Sequence, residues 1–265
     1  MYSFTELTNP SRAEPQGFAS DELMINGRTL SELVKGYRHL IVKGRGIHSR
    51  RIKTTEIPGR RGVWVDLVED SETILEIQYM LTAETSAELR DRFQMLNKWL
   101  RYYGPSGFLE VSFKDEPEWI YYALFSDADD FEENSLSVMS SFKLLVPDGV
   151  KKRAEQGSTG AITLKDAYEV LPDRIVLTPE GTVNRIEITN GRQKLIMNGS
   201  YKSDTDIVLD FTGDEIRLDK GYTGISILSE LELHSPLEEF KIRHGDTISA
   251  KGARVKTVRW RDERL

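Results

Sequence analysis

The sequence contains no cysteine among its 265 residues. Without thiol groups the chain can form no disulfide bond, no thiolate zinc site and no cysteine nucleophile. Proteins that fold in reducing compartments commonly lack disulfides, so we expect this chain to be synthesised and folded in a cytoplasm.

Long hydrophobic runs are also missing. No apolar stretch approaches the roughly 18 residues that a membrane span requires. The first residues show no basic segment followed by an apolar one, as a secretory signal would. We therefore expect a soluble protein with no membrane partner. The net charge of −7 argues against general nucleic-acid binding, because such binding depends on neutralising phosphates with basic side chains.

The common catalytic and metal-binding motifs are absent. The four histidines do not occur in His-Glu-x-x-His spacing, and neither Gly-x-Ser-x-Gly nor a phosphate-binding glycine loop is found. The acidic run that starts at Asp127 fails the calcium-loop register, because its sixth position is Glu132 where glycine is required. We predict no enzymatic activity, no cofactor and no metal site. The 43 acidic residues leave a glycosidase carboxylate pair as an alternative, but the sequence does not identify which two residues would form it.

Most of the chain alternates between apolar and polar residues, which is typical of half-buried β-strands. The alternation is clear over residues 75–79, 109–113 and 207–211, with glycine-containing turns between such segments. One helix interrupts this pattern. Within 85–103, Leu89, Phe93, Leu96 and Leu100 form one apolar stripe after Thr85. The sequence therefore predicts a mainly β, β-rich α+β protein with one main helix.

A domain boundary is predicted near the middle of the chain. Pro147-Asp148-Gly149 is a turn signal after a strand-like segment, and the polar, glycine-containing stretch up to Gly160 is typical of a linker. The length also favours two domains. We predict an N-terminal domain over 1–146, a linker over 147–160 and a C-terminal β-sandwich over 161–265.

Charge is distributed unevenly. Residues 28–61 carry 10 basic and 2 acidic residues, residues 62–150 carry 6 and 18, and residues 151–265 balance at 19 of each. The basic block is either an interaction surface or a set of solvated strand faces and a loop. Its candidate subunit-interface residues are Lys43, Arg45, Arg50, Arg51, Lys53, Arg60 and Arg61.

Several short motifs together resemble one protein family. They are Met1-Tyr2-Ser3-Phe4, Ile25-Asn26-Gly27-Arg28, Val34 to Arg38, Pro58 to Gly62, the helix end Leu96 to Leu100, the strand 109–113, Asp115-Glu116-Pro117 and Tyr121-Tyr122-Ala123. In this order they resemble the distal tail proteins of long-tailed (siphovirus) phages of Gram-positive bacteria. The resemblance covers residues 1–146. The second half is similar more loosely, through Gly181 to Ile188 and Val258 to Arg261.

This resemblance implies both architecture and function. It implies an N-terminal β-sandwich or split-barrel-like domain with one main helix, which closes into a hexameric ring, and a C-terminal galectin-like β-sandwich that faces outward. The implied partners are further copies of the chain, the tail tube protein, a tail-tip protein and a receptor-binding protein. The implied location is the virion tail, after synthesis in the bacterial host cytoplasm. At low concentration the chain is expected to be monomeric.

The charge distribution gives such a ring a physical rationale. In a head-to-tail ring each subunit presents two different surfaces, so a basic and an acidic segment of one domain can meet across the interface. We therefore expect residues 1–146 to carry the oligomer. Some members of the family carry inserted carbohydrate-binding modules, but this chain has no room for one.

Two alternatives come from other functional classes. The predicted lectin-like sandwich suggests a carbohydrate-binding module for host cell-surface glycans, with Tyr168, Tyr201, Tyr222 and Trp260 as candidate sugar platforms. The other alternative is a cell-wall hydrolase, for which the sequence offers no identifiable catalytic pair.

Overall fold

The computed structural model describes residues 21–130, 135–213, 215–222 and 224–265. The opening Met1-Tyr2-Ser3-Phe4 of the family resemblance, and Glu132 and Glu133 of the acidic run, lie outside these residues. The structure is 51% strand and 9% helical, which confirms the predicted β-rich α+β class. None of the helices in the described ranges has the length and hydrophobicity that crossing a membrane would require.

The chain divides into two compact units between Lys151 and Lys152, with Leu265 assigned to the first. This division lies inside the stretch predicted as a linker. Part of that stretch is not linker, because Gln156–Ser158 forms a strand that pairs with a later strand of the second unit. The domain limits at 146 and 161 stay a prediction.

The first unit is a mainly antiparallel β-structure with two helices in its described part. Its elements are β1 (Leu23–Ile25), β2 (Arg28–Thr29), α1 (Leu30–Leu33), β3 (Tyr37–Lys43), β4 (Arg50–Glu56), β5 (Val63–Asp70), β6 (Thr73–Thr82), α2 (Ser86–Leu100), β7 (Leu109–Phe113), β8 (Glu116–Ala128), β9 (Ser137–Val146) and β10 (Lys151–Lys152), which lies at the division. The main path of a nine-stranded sheet has the order β2-β1-β7-β8-β9-β6-β3, and β10 joins this sheet by pairing with β8. The strands β4 and β5 pair in a separate two-stranded sheet.

The core of the first unit follows the alternation of its strands. In β6, Leu75, Ile77 and Leu81 are fully buried and Tyr79 is buried on the same face, while the side chains of the other face are exposed or half-buried. These residues join the same apolar cluster as Leu89 and Leu96 of α2. The helix begins after Thr85, whose hydroxyl accepts a hydrogen bond from the Glu88 amide at 3.2 Å, as the capping pattern predicts. The predicted helix therefore covers one face of the sheet.

Close packing at Gly36 fixes the approach of α2. Gly36 has a φ of +78°, and a Cβ at this position would meet the guanidinium of Arg92 and the carbonyl oxygen of Thr82. Arg92 is itself buried and donates hydrogen bonds to Thr82 O and to the carboxylate of Glu88. Only glycine satisfies both the backbone conformation and the space.

The second unit contains short strands, and all of them except the last one form three sheets. Its elements are β11 (Gln156–Ser158), β12 (Glu169–Val170), β13 (Arg174–Pro179), β14 (Val183–Thr189), β15 (Lys194–Tyr201), β16 (Ile207–Asp210), β17 (Arg217–Lys220), β18 (Ile225–Ser226), a 3₁₀ turn (Leu228–Glu230), β19 (Ile242–Arg243), β20 (Ser249–Lys251), β21 (Ala253–Trp260) and β22 (Glu263–Arg264). The sheets have the orders β11-β21-β13-β16-β17-β18, β15-β14-β20 and β12-β19.

Side chains from the two larger sheets of the second unit join one apolar cluster. Ile175 and Leu177 come from the six-stranded sheet, and Ile186 and Ile188 come from the three-stranded sheet. Burying one face of each sheet against the other is the usual way in which a β-sheet protein forms a core. The galectin-like topology implied by the resemblance stays a prediction.

Hydrogen bonds join the first and last segments of the second unit. Asp262 is fully buried, and its carboxylate accepts hydrogen bonds from the amides of Lys165 (2.7 Å), Asp166 (3.2 Å) and Ala167 (3.0 Å). The amide of Arg153 also donates to the carbonyl oxygen of Asp262 at 2.9 Å. A buried carboxylate is stable where it accepts several such bonds, so this clamp joins the start of the unit to its end.

Candidate assembly surface of the first unit

The β4–β5 hairpin is the part of the first unit that carries most of the predicted interface residues. The strands pair antiparallel from Arg50 opposite Asp70 to Glu56 opposite Val63. The connecting turn contains Pro58-Gly59, and Gly59 has a φ of +81° that glycine adopts without strain. The sequence thus forms a two-stranded ribbon outside the main sheet.

Every residue of β4 and β5 is exposed. The exposed apolar side chains include Ile52, Val63, Trp64, Val65, Leu67 and Val68, with exposed fractions between 44% and 58%. An isolated hairpin is marginally stable in water, and exposed apolar patches on folded proteins commonly mark interaction sites. These residues therefore form a surface suited to burial against another protein.

The hairpin also has two unpaired backbone edges, since its strands pair only with each other among the described strands. Exposed strand edges offer rows of amide and carbonyl groups to a further strand. A partner protein can therefore bind the hairpin both through its apolar side chains and through the backbone hydrogen-bonding groups of its edges.

Three of the seven predicted interface cations have exposed or half-exposed ion pairs within the first unit. Lys43 lies on β3 and pairs with Glu76 of β6 at 2.7 Å. Arg50 pairs with Asp70 across the hairpin at 2.7 Å. Arg51 lies 3.7 Å from Glu72. Residues that carry opposite charge in separate sequence segments thus meet inside one unit, so the charge asymmetry of the sequence overstates that of the surface.

Arg45 is held by internal partners. Its guanidinium lies 2.8 Å from Asp115 and 3.0 Å from Glu116, and it stacks 4.3 Å above the ring of Phe113. Only 14% of its side chain is exposed. Burial alone would lower the pKa of Arg45, but the hydrogen bonds to both carboxylates outweigh this effect and raise that pKa above its ordinary value. Arg45 therefore stabilises the unit that contains it.

The remaining three cations also lie on the hairpin. Lys53 lies on β4, and Arg60 and Arg61 lie in the connecting turn. Arg60 stacks over the Trp64 ring at 5.0 Å. Within the described ranges, no carboxylate lies in ion-pair distance of these three side chains. They leave positive charge beside the apolar side chains.

The apolar side chains of this surface were not predicted, because the candidate interface was chosen from the charged residues alone. Its signal in the sequence is the run Val63-Trp64-Val65, followed after Asp66 by Leu67 and Val68. That run lacks the alternation of a half-buried strand, so both faces of the ribbon are apolar. The described residues contain no cluster of histidine and carboxylate groups that fits a metal ion.

Comparisons with known proteins agree with this architecture at the level of fold. No family model matches the chain, and no curated protein matches it. The crystal structure of the SPP1 Dit protein matches with a TM-score of 0.70 and 17% identity, over 92% of this chain and 99% of that one. That protein is described as a paradigm of the hub adsorption apparatus in phages that infect Gram-positive bacteria.

Two structures of the phage P2 baseplate in its activated conformation, with Ca and with Sr, match with TM-scores of 0.48 and 0.46. Both are 9% identical and cover 87% of this chain and 91% of the matched chain. These two likenesses are too low to carry an argument. The match to SPP1 Dit shows a shared fold.

Proposed function

We propose that this chain, which has the fold of the SPP1 distal tail protein, is a structural subunit of a phage tail. In this proposal its first unit assembles into a hexameric ring, a hub between the tail tube and the tail-tip and receptor-binding proteins. The role is non-enzymatic, and the site of action is the virion tail after synthesis in the host cytoplasm. The fold match and the resemblance over residues 1–146 support the proposal.

The observation that carries the proposal is the exposed β4–β5 hairpin. Its apolar side chains do not belong to the apolar cluster formed by the described residues of their own unit, so they are suited to burial by a partner molecule. A second copy of the chain is the partner that the charges favour. Lys53, Arg60 and Arg61 are without ion-pair partners among the described residues, and so are the exposed carboxylates of Asp91, Glu118 and Asp130.

Such a contact is heterologous, because the basic hairpin of one copy meets a different surface, with carboxylates unpaired within the described ranges, on the next copy. Heterologous contacts generate closed rings when the rotation between copies closes. Most of the association energy must come from apolar burial, because exposed ion pairs contribute only about 0–1 kcal/mol each. The cations instead select the register and direction of docking.

The test is the mass of the full chain in solution over a range of concentrations, with negative-stain images of any large species. We expect monomers at low concentration and rings at high concentration. Trp64→Ser should shift assembly to at least about ten-fold higher concentration, because it removes a large apolar side chain from the contact. The matched control is Tyr168→Ser, which removes an exposed aromatic ring from the second unit.

Rings that form equally well in both variants would contradict a role for the hairpin. A chain that never exceeds monomer mass at high concentration, alone or with tail tube protein, would contradict the ring itself.

A further inference from the structure

The six-stranded sheet of the second unit has one face that does not contribute to the apolar cluster. Along β13, Ile175 and Leu177 belong to the cluster, so Arg174 and Thr178 lie on the opposite face. The neighbouring strand places Arg254 opposite Thr178. Along β13 this outer face therefore carries charged or hydroxyl side chains on either side of the buried Val176.

A groove of about 460 Å³ lies at one end of this face. Its volume falls within the usual range for small-ligand sites. The lining residues that bear on ligand recognition are Thr178, Asp204, Asp206, Tyr222, Arg254 and Lys256. They come from β13, β21 and the segments on either side of β16 and β17.

Asp206 forms hydrogen bonds with three other residues that line the groove. Its carboxylate accepts hydrogen bonds from the Thr178 hydroxyl at 2.7 Å and the Lys256 ammonium at 2.6 Å. Its carbonyl oxygen accepts from the Gly221 amide at 2.6 Å. Burial alone would raise the pKa of Asp206, but the bonds from Lys256 and Thr178 outweigh burial and hold that pKa below its ordinary value. Strand and turn segments are thus held in place before any ligand arrives.

Tyr222 supplies an aromatic surface at the groove. It follows Gly221 in the turn between β17 and β18, and 69% of it is exposed. Tyr222 and Lys256 both line the groove. Of the other aromatic residues considered as sugar platforms, Tyr201 and Trp260 are buried in the core and cannot serve.

Arg254 and Asp204 remain available to a ligand. Both are exposed, and no hydrogen bond or ion pair to the Arg254 guanidinium is found among the described residues. The Asp204 carboxylate accepts only from the neighbouring Thr205 hydroxyl, at 3.1 Å, within the same ranges. A guanidinium donates to hydroxyl oxygens, and a carboxylate accepts from hydroxyl groups. The two carboxylates and two cations of the groove balance in charge, so it does not select an anion.

We propose that this groove binds a neutral oligosaccharide. One sugar ring lies with its apolar face on Tyr222, and its hydroxyl groups accept from Arg254 and donate to Asp204. A second groove of about 490 Å³ shares Lys256 and is lined by the polar side chains of Gln156, Ser158, Thr159 and Thr257. It is also lined by Glu155 and Arg259, which pair with each other at 3.1 Å. It provides amide and hydroxyl partners for further sugar units, so affinity should rise with chain length.

The experiment is a printed array of neutral oligosaccharides of glucose, galactose and N-acetylglucosamine, probed with the full chain. Polyuronate and polyphosphate are printed beside them. Calorimetry then measures the best neutral ligand at one, two and three sugar units. We expect binding to a neutral series, with affinity increasing along it.

Tyr222→Ala and Arg254→Ala should each weaken the binding by about ten-fold or more. The matched control is Tyr168→Ala, since Tyr168 is 74% exposed in the same unit but does not line the groove. It should change the affinity by less than about two-fold. Thermal unfolding of each variant checks that the second unit remains folded.

Three results would overturn the proposal: no neutral saccharide bound at millimolar concentration, binding to the anionic polymers alone, or equal losses in Tyr222→Ala and Tyr168→Ala. Ring assembly is measured in parallel for the same variants. Failure of the hub proposal appears as an unmodified chain that binds saccharide but forms no rings. Failure of the saccharide proposal appears as rings without saccharide binding, so the two outcomes are distinguishable.

Discussion

Two antiparallel strand pairs of the first unit, β6–β9 and β4–β5, use their apolar residues in opposite ways. The β6–β9 pair has ten paired positions, and Leu75, Ile77 and Leu81 of β6 alternate into the core. In β5, apolar side chains occur on both faces, and all of them are exposed. Intramolecular packing explains the residues of the first pair. It does not explain those of the hairpin, which therefore point to assembly.

The largest expected contrast is between core and hairpin truncations. Ile77→Ala should lower the free energy of unfolding by about 3 kcal/mol, because Ile77 is fully buried and its loss leaves a cavity. Val68→Ala, on the exposed hairpin, should change it by less than about 0.5 kcal/mol. Urea unfolding of both variants below the assembly concentration provides the measurement. Equal decreases in the free energy of unfolding would contradict the distinction between core and hairpin residues.

Glycines of the two regions provide the second contrast. Gly36→Ala should cost about 2 kcal/mol, because the added methyl group meets Arg92 and the Thr82 carbonyl at a positive φ. A Cβ added at Gly59 would have no atom within 4 Å, so Gly59→Ala should lower the free energy of unfolding only through backbone strain, by about 1 kcal/mol or less. The same unfolding measurement applies. A Gly36 variant as stable as the Gly59 variant would show that α2 adapts to the substitution.

Arginine substitutions in the two regions provide the third contrast. Arg45→Ala should lower the free energy of unfolding by about 1–2 kcal/mol, since it leaves Asp115 and Glu116 without this partner. Arg61→Ala should leave that free energy nearly unchanged but make ring assembly less sensitive to salt. Light scattering at two salt concentrations reports the second effect. An Arg45 variant that alters only assembly would place Arg45 at a subunit interface instead.

The smallest expected effect concerns acid. A hydrogen bond from Lys143 holds the pKa of Asp127 below its ordinary value of 3.8, so this pair stabilises the sheet above that value. The stabilisation is lost as the pH falls through the lowered pKa. Asp127→Asn should therefore flatten the loss of stability between about pH 5 and pH 2. Urea unfolding of the variant and the unmodified chain across this pH range provides the measurement, and identical acid profiles would contradict a role for the pair.

Local sequence predicted the elements whose determinants are close in the chain. The cap at Thr85 and the stripe through Leu89, Leu96 and Leu100 gave the helix, which spans Ser86–Leu100. Burial of Arg92 was not predictable, because it depends on the Thr82 carbonyl and on contact with Gly36. The side chains that form a contact across elements leave no periodic signal.

The candidate surface was predicted in part. Basic residues were predicted at an interface, and five of the seven lie on the hairpin. The role of Arg45 was hidden, because its carboxylate partners lie 70 and 71 residues away in the sequence. The apolar residues of β5 were overlooked, because exposure depends on what the rest of the chain covers. Likewise, β11 reads as linker sequence, and only its pairing with β21 makes it a strand.

The clamp at Asp262 has a consequence for how such proteins diversify. Arg153 and Asp262 are joined by a backbone hydrogen bond, and Gln156 pairs with Trp260, so the chain enters and leaves the second unit at the same place. A module with adjacent ends can be exchanged, or inserted into a surface loop of another protein, without spreading its host apart. Asp262 therefore gives the second unit the adjacent ends that such an exchange requires.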